Sequence, residues 1–304
     1  MIPLNVMYTY DDIIYTLKEL SDRYSKILKY QVIGTSHDLR NIPMVSLGSG
    51  QEHLILTGGV HGRESINPVV MVHMLEEYCV AYTKNQWIDD TYDMKELLSH
   101  YTISMIPLLN PDGYMIALKG FQSLRSPILR QSAKMMGIPY EEWKLNGRGV
   151  DINRNFPCNS YIRVHAVDKP LSEQETKALV QLFLQKDTCA YLDFHSRGNI
   201  IYYYRNAMPE DYNKKSYGLA SELQKACGYE LGSPEEELLT VASGGNTVQF
   251  YSEYFGKPAI TIETLEDEAP FPLSVSFQED VVEKIRLLPL ITLQYLNQGQ
   301  RNRD

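Results

Sequence analysis

Short apolar runs bounded by turn-forming residues recur along this chain and predict buried β-strands. A run such as 53–59 has almost no polar position on either face, which is typical of a strand covered on both sides. Seven strands are predicted in this way, at 29–34, 42–48, 53–59, 102–109, 190–195, 199–204 and 258–264.

Helix-start and helix-stop signals lie between these runs. The segment Thr9 to Asp12 resembles a capping box, and a second capping box is predicted at 172–175. Asn67 followed by Pro68 is typical of a cap and a first helical position. The predicted helices run from the first box to about 26, from 68 to about 82, over 127–137, from the second box to about 186, and over 214–227, 248–255 and 276–297, the last kinked at Pro289.

Alternating strands and helices predict an α/β fold. We expect one domain over 1–304, because the chain has no repeat, low-complexity tract or flexible linker. Its core should be a twisted mixed, largely parallel sheet of about eight strands with helices on both faces. Functional sites of such sheets form beyond the strand ends.

Composition narrows the possible partners. The formal net charge of the 304 residues is −9, which disfavours nucleic acid and anionic membranes as partners. No apolar run approaches the ~20 residues that span a bilayer. With no secretory signal visible and no CxxC pair, we expect a cytoplasmic protein with four reduced thiols, Cys79, Cys158, Cys189 and Cys227.

A possible metal site follows the strand 53–59. His61 and Glu64 are three positions apart, so both side chains can turn toward one ion. Zinc binds imidazole nitrogen and carboxylate oxygen, and a catalytic zinc keeps one position open. A histidine and a glutamate at this spacing recur by chance, so a third ligand is needed. His195, at the end of the strand 190–195, is the best placed of the other histidines.

Six short motifs occur in order between about residues 9 and 265. Together they resemble the zinc carboxypeptidase family, whose fold we therefore expect. The resemblance implies one zinc per chain, with His61, Glu64 and His195 as its ligands. The motifs are His61-Gly62-Arg63-Glu64, Asn110-Pro111-Asp112-Gly113, the run from Gly149 to Pro157, Asp193-Phe194-His195-Ser196, Ser243-Gly244-Gly245 and Thr261-Ile262-Glu263.

The same resemblance implies catalytic roles. Glu263 matches the general base that takes a proton from the attacking water. Arg148 is the predicted cation that stabilises the oxyanion, with Arg125 and Arg130 as alternatives. Asp151 matches a residue that accepts a hydrogen bond from His61 behind the metal.

Substrate-binding residues are also implied. Asn153 and Arg154 match the pair that holds a substrate carboxylate, for which a guanidinium fork is well suited. Thr247 lies in the stretch 244–249, where the family keeps pocket-lining residues, and it would suit a polar guest.

Two runs resemble a bacterial branch of the family, the γ-D-glutamyl-meso-diaminopimelate peptidases. They are 143–151, WKLNGRGVD, and 195–202, HSRGNIIY. The stretch 237–242 also lacks the tyrosine that digestive members carry before Ser243. We therefore expect peptide substrates, and specifically muropeptides, as the partners of this enzyme.

Three alternatives stay open. A general metallocarboxypeptidase shares the motifs. An aspartoacylase-like amidohydrolase shares the HxxE pattern but generally lacks the motif at 110–113. A non-catalytic binding module is disfavoured because every expected ligand and the base are present. Nothing in the sequence indicates the oligomeric state.

Overall fold

One eight-stranded mixed sheet dominates the computed structural model, which describes residues 2–237 and 244–301, apart from the side chains of 300 and 301. Its strand order is β1-β2-β6-β3-β7-β10-β8-β9, and β4 pairs with β5 in a separate ribbon. The strands are β1 Leu28–Thr35, β2 Asn41–Gly48, β3 Glu52–Thr57, β4 Trp87–Ile88, β5 Tyr92–Asp93, β6 Tyr101–Ile106, β7 Thr188–Ser196, β8 Ile200–Tyr202, β9 Glu230–Leu231 and β10 Ala259–Thr264.

Helices connect most of these strands. In the described residues they are α1 Tyr10–Arg23, α2 Ile66–Lys84, α3 Met94–His100, α4 Pro111–Lys119, α5 Pro127–Met135, α6 Gln174–Gln185, α7 Glu210–Cys227, α8 Thr247–Phe255, α9 Gln278–Ile285 and α10 Leu288–Arg301. None of them is both long and apolar enough to cross a membrane.

The central strands feed two hydrophobic cores, one on each face of the sheet. Because successive side chains of a strand point to opposite faces, Leu54 and Leu56 enter one core and Ile55 enters the other. Leu192 and Tyr191 of β7 divide in the same way. The predicted mixed sheet with helices on both faces is thus confirmed.

The first predicted helix start is confirmed. The backbone N–H of Asp12 donates to Thr9 Oγ1, and the Asp12 carboxylate accepts from the Thr9 N–H at 2.8 Å. These two bonds form the capping box. Helix α1 ends at Arg23, about three residues before the predicted end.

Two predicted caps are wrong. Helix α2 is capped by Ser65 without a side-chain bond, and Asn67 lies within the helix. Helix α6 has Glu173 at its cap position, again without a side-chain bond, while Ser172 donates to the Glu173 carboxylate at 2.8 Å. Asn67 binds residues distant in sequence instead of the helix end, and Ser172 Oγ accepts from Asn155 Nδ2 at 2.9 Å.

The C-terminal segment consists of two helices. Helix α9 ends at Ile285, and α10 begins at Leu288, so that Pro289 lies in the first turn of α10. Proline is tolerated in a first turn, where its missing N–H needs no partner. The predicted single kinked helix is therefore corrected to two.

The four central strands, β6, β3, β7 and β10, are mutually parallel. Their carboxyl ends consequently meet at one edge of the sheet. The turn after β3 carries His61 and Glu64, and His195 is the penultimate residue of β7. The fold therefore gathers residues far apart in sequence at the edge where α/β sheets place their sites.

Candidate metal centre and active site

His61, Glu64 and His195 come together at this edge, and we call them the metal group. Strands β3 and β7 are adjacent and parallel, with Thr57 opposite Asp193. The turn after β3 therefore reaches the end of β7. One potential ligand atom from each of the three residues lies within 4.8 Å of the others. The predicted grouping of the three residues is what the structure shows.

The spacing of the ligand atoms suits one small ion. His61 Nδ1 lies 2.6 Å from Glu64 Oε1, and His195 Nδ1 lies 3.1 Å from Glu64 Oε2. The two Nδ1 atoms are 3.3 Å apart. Ligand atoms about 2 Å from a tetrahedral zinc ion are separated by roughly 3.3 Å. These distances and the histidine–carboxylate chemistry both fit zinc.

A carboxylate lies behind each imidazole ring. His61 Nε2 is 3.3 Å from Asp151 Oδ1, and His195 Nε2 is 3.0 Å from Asp193 Oδ2. Each ring therefore presents Nδ1 to the centre, an arrangement typical of zinc-binding histidines. The prediction for Asp151 agrees with this geometry. Asp193 was missed, although residues two apart on a strand share a face, and that periodicity links it to His195.

Negative charge surrounds the two rings. Burial lowers the pKa of His195, but the charges of Asp193 and Glu64 outweigh it and raise that pKa well above its ordinary value. Burial opposes ionisation of Asp151 as well, yet the charge of His61 keeps its pKa low. A field that favours protons on the rings also favours a metal cation between them.

Asn67 and Asn110 hold the loops of this site together. Asn67 Nδ2 donates to the His195 carbonyl at 2.8 Å, and Asn67 Oδ1 accepts from Thr264 Oγ1 at 3.0 Å. Asn110 Nδ2 donates to the carbonyls of Val60 and Leu145, both at 3.1 Å. These buried bonds join the turn after β3 to the segment at 145 and link the ends of β7 and β10.

Glu263 lies beside the metal group. It is opposite His195 in the pairing of β10 with β7, and it lines a cavity of about 260 Å³. Burial raises the pKa of Glu263 to about 7, with the nearby Glu64 carboxylate acting in the same direction. A carboxylate with that pKa is poised to exchange protons near neutral pH.

The cavity beside Glu263 is strongly polar. Asn153 and Arg154 line it, as predicted for substrate-binding residues. Their backbone lies in a short 3₁₀ turn, Ile152–Arg154, begun by Asp151, whose side chain accepts from the Asn153 N–H at 3.0 Å. The other lining residues are Tyr202, Tyr204, Arg205, Asn206, Glu236, Glu237, Asn246, Val248, Gln249 and Thr261.

Thr247 is not part of this lining. Its side chain is fully buried and donates to the Asp193 carboxylate, and its N–H donates to Asn153 Oδ1 at 3.1 Å. The predicted direct contact with substrate is therefore replaced by support of two site residues. Ser243 and the stretch 238–242, where the family's tyrosine is missing, lie outside the described residues.

Arg148 contacts a glutamate that does not line the cavity of Glu263. Its guanidinium lies 3.4 Å from Glu173, is about half exposed, and does not line the cavity of Glu263. The structure therefore does not support Arg148 as the oxyanion-stabilising cation. Lys144, which the sequence analysis missed, contacts the carboxylate behind His61, with its Nζ 2.8 Å from Asp151 Oδ2.

Comparison with known proteins now decides the family. A model of the zinc carboxypeptidase family matches residues 13–284. The chain belongs to this family. The predicted family, its zinc cofactor and its peptidase chemistry are thereby confirmed.

Individual relatives agree with this assignment. The chain is 24% identical to gamma-D-glutamyl-L-diamino acid endopeptidase 1 of Lysinibacillus sphaericus, over 88% of this chain and 68% of that protein. It is 23% identical to carboxypeptidase B of Astacus astacus, over 79% of this chain and 80% of that protein. Bovine thrombin-activatable fibrinolysis inhibitor has a similar fold, with a TM-score of 0.77, 18% identity and coverage of 97% of this chain and 99% of that chain.

Proposed function

We propose that this zinc peptidase hydrolyses the bond between γ-D-glutamate and a diamino acid in cell-wall peptides. The observation that carries the proposal is the charged cavity beside Glu263. Residues of both charges line it, namely Arg154, Arg205, Glu236, Glu237 and Glu263, of which Arg205 and Glu237 form an ion pair with each other. A diamino acid presents both an ammonium and a carboxylate, so that it suits a cavity with charges of both signs.

The role that we propose for each residue follows from its position in the site. His61, Glu64 and His195 hold the zinc, which when bound polarises the scissile carbonyl and lowers the pKa of the attacking water. Glu263 accepts the proton of that water and passes it to the leaving nitrogen. Asn153 and Arg154 bind a carboxylate of the leaving residue. The planar guanidinium of Arg154 is suited to hold that carboxylate through two parallel hydrogen bonds.

Relatives support both this proposal and its main competitor. The name of the Lysinibacillus relative states the proposed reaction, whereas the Astacus relative is a carboxypeptidase B. A general metallocarboxypeptidase is thus the second candidate. A basic leaving residue would also suit the carboxylate of Glu236, whereas that of Glu237 is paired with Arg205. We further propose that the enzyme acts in the cytoplasm, where its substrates would be recycled muropeptides.

The decisive experiment compares kcat/KM for L-Ala-γ-D-Glu-meso-diaminopimelate with that for acyl dipeptides ending in an aromatic or basic residue. We expect the γ-glutamyl substrate to be cleaved far more efficiently. Clearly faster cleavage of the ordinary dipeptides would favour the carboxypeptidase instead. If the zinc-loaded protein hydrolyses neither kind of substrate, the result would favour a non-catalytic binding module.

A further inference from the structure

Two arginines near the metal group lie over the same aromatic ring. The guanidinium carbon of Arg63 is 4.5 Å from the centroid of Phe271, and that of Arg197 is 4.9 Å from it. Cation–π attraction of this kind orients a guanidinium without neutralising its charge. We call these three residues the arginine pair and its ring.

The arginine pair adjoins the metal group through the backbone. Arg63 lies between the ligand residues His61 and Glu64, and Arg197 follows His195 by two positions. A Cβ added at Gly198, the residue after Arg197, would lie 3.5 Å from Glu263 Cβ. Neither arginine lines the cavity that holds Asn153 and Arg154. The pair therefore adjoins the ligand residues along the chain and lies outside the proposed leaving-residue cavity.

Within the described residues, the positive charge of this pair is poorly compensated. The Nε atom of Arg63 is buried without a hydrogen-bond partner, and no carboxylate lies within 4 Å of its guanidinium. Arg197 donates to the Ala269 carbonyl, and its nearest carboxylate, at 3.9 Å, belongs to the largely exposed Asp267. A partly buried guanidinium without a counter-charge favours an anionic ligand.

The proposed substrate carries such an anion. In a γ-glutamyl bond, the free α-carboxylate of the glutamate lies three carbons from the scissile carbonyl, roughly 5 Å away. It belongs to the acyl side of the bond, opposite the leaving residue. In an ordinary α-linked peptide a neutral peptide group occupies the corresponding region. A cationic site beside the zinc, outside the leaving-residue cavity, thus matches the feature that distinguishes γ-linked substrates.

We propose that Arg63 and Arg197, oriented on Phe271, form a binding site for the α-carboxylate of the γ-linked glutamate. The inference rests on the proposed function and assigns its acyl-side selectivity to two residues. The planar guanidinium fork suits a carboxylate, and the ring limits the rotamers available to both side chains.

The test compares two substrates that differ in one group. The first is L-Ala-γ-D-Glu-L-Lys with its α-carboxylate free, and the second is the same peptide with that carboxylate converted to a carboxamide. For the wild-type enzyme we expect kcat/KM to favour the free acid by roughly 10- to 100-fold, the range for losing a hydrogen bond to a charged group. Arg197→Met should reduce this ratio toward one, and Arg197→Lys should restore part of it.

Two further variants guard against indirect effects. Arg63→Met should also lower the ratio, and its zinc content is measured because Arg63 adjoins two ligand residues. Arg163→Met removes the same charge from an exposed arginine outside the pair and should keep the wild-type ratio. The ratio is measured within each variant, so a general loss of activity does not mimic the effect.

The outcomes separate this inference from the proposed function. If the wild type cleaves both substrates equally well, or if both methionine variants keep the wild-type ratio, the anion site is wrong while the γ-glutamyl activity stands. If the zinc-loaded wild type cleaves neither substrate, the proposed function fails and the anion site fails with it.

Discussion

Two groups of histidine and glutamate residues lie in the described part of this chain, and they differ in what surrounds them. Each brings potential ligand atoms within 4.8 Å of one another. One is the metal group at the carboxyl ends of β3 and β7. The other, which we call the hairpin group, joins the turn between β1 and β2 to the start of α6, and consists of His37, Glu173 and Glu175.

The carboxylates of the hairpin group are largely occupied by neighbouring donors. Asn146 Nδ2 donates to Glu173 at 2.8 Å and to Glu175 at 3.3 Å. His37 Nε2 lies 3.1 Å from Glu173, and Arg148 approaches the same carboxylate at 3.4 Å. These contacts tie the turn, the segment at 146–148 and α6 together. The group therefore has the character of a structural network.

In the metal group, by contrast, the polar contacts converge on one point. The Glu64 carboxylate faces the two imidazole rings, and each ring is backed by its own carboxylate, Asp151 or Asp193. Proximity of ligand-type residues alone therefore does not define a metal site. A metal site is defined by a partner behind each imidazole ligand that fixes its orientation, together with an adjoining cavity.

Removing one histidine from each group should give the largest contrast. We expect His195→Ala to lose zinc and to lower kcat/KM by more than roughly 100-fold, since even residues behind the ligands change metal affinity by 10- to 100-fold. His37→Ala should retain one zinc per chain. Metal analysis after dialysis, together with activity, measures both. Loss of zinc from His37→Ala would show that the hairpin group binds metal.

Neutralising Glu263, which lies beside the metal group, and Glu175, which belongs to the hairpin group, should separate catalysis from structure. Glu263→Gln should keep its zinc and lower kcat by roughly 10²- to 10⁴-fold, the usual contribution of a general base. Glu175→Gln is the matched control and should stay within a few-fold of wild type. A kcat near the wild-type value for Glu263→Gln would show that Glu263 is not the general base.

Titration of Glu175 in the hairpin group should have a smaller, pH-dependent effect on the free energy of unfolding. Burial raises the pKa of Glu175 from 4.5 to about 7 in the folded protein. Folding thus favours the protonated form, and the stability that this proton adds is present below about pH 4.5 and is lost as pH rises through 7.

Glu175→Gln cannot lose a proton. Its free energy of unfolding should therefore improve relative to wild type between pH 5 and 7, by no more than about 1.4 kcal/mol per pH unit. Urea unfolding of both proteins at several pH values measures the difference. Parallel stability curves would mean that Glu175 is already ionised at pH 5.

Local patterns along the chain determined much of the fold. The apolar runs at 53–59 and 190–195 predicted β3 and β7, because a strand covered on both faces leaves no room for polar positions. The capping box at Thr9 formed because both of its partners lie within one turn. His61, Glu64 and His195 directly follow or end such strands, and the resemblance of the ordered motifs to the zinc carboxypeptidase family named them as ligands.

Tertiary structure alone decided which distant group each polar side chain would meet. Asn67 has the local signature of a helix cap, yet it binds the ends of β7 and β10, 128 and 197 residues further along the chain. Arg148 has the motif position of a catalytic arginine, but Glu173 binds its guanidinium. Hydrogen bonds and ion pairs depend on distances of about 3 Å between atoms, and local sequence constrains those distances only within a turn or a strand.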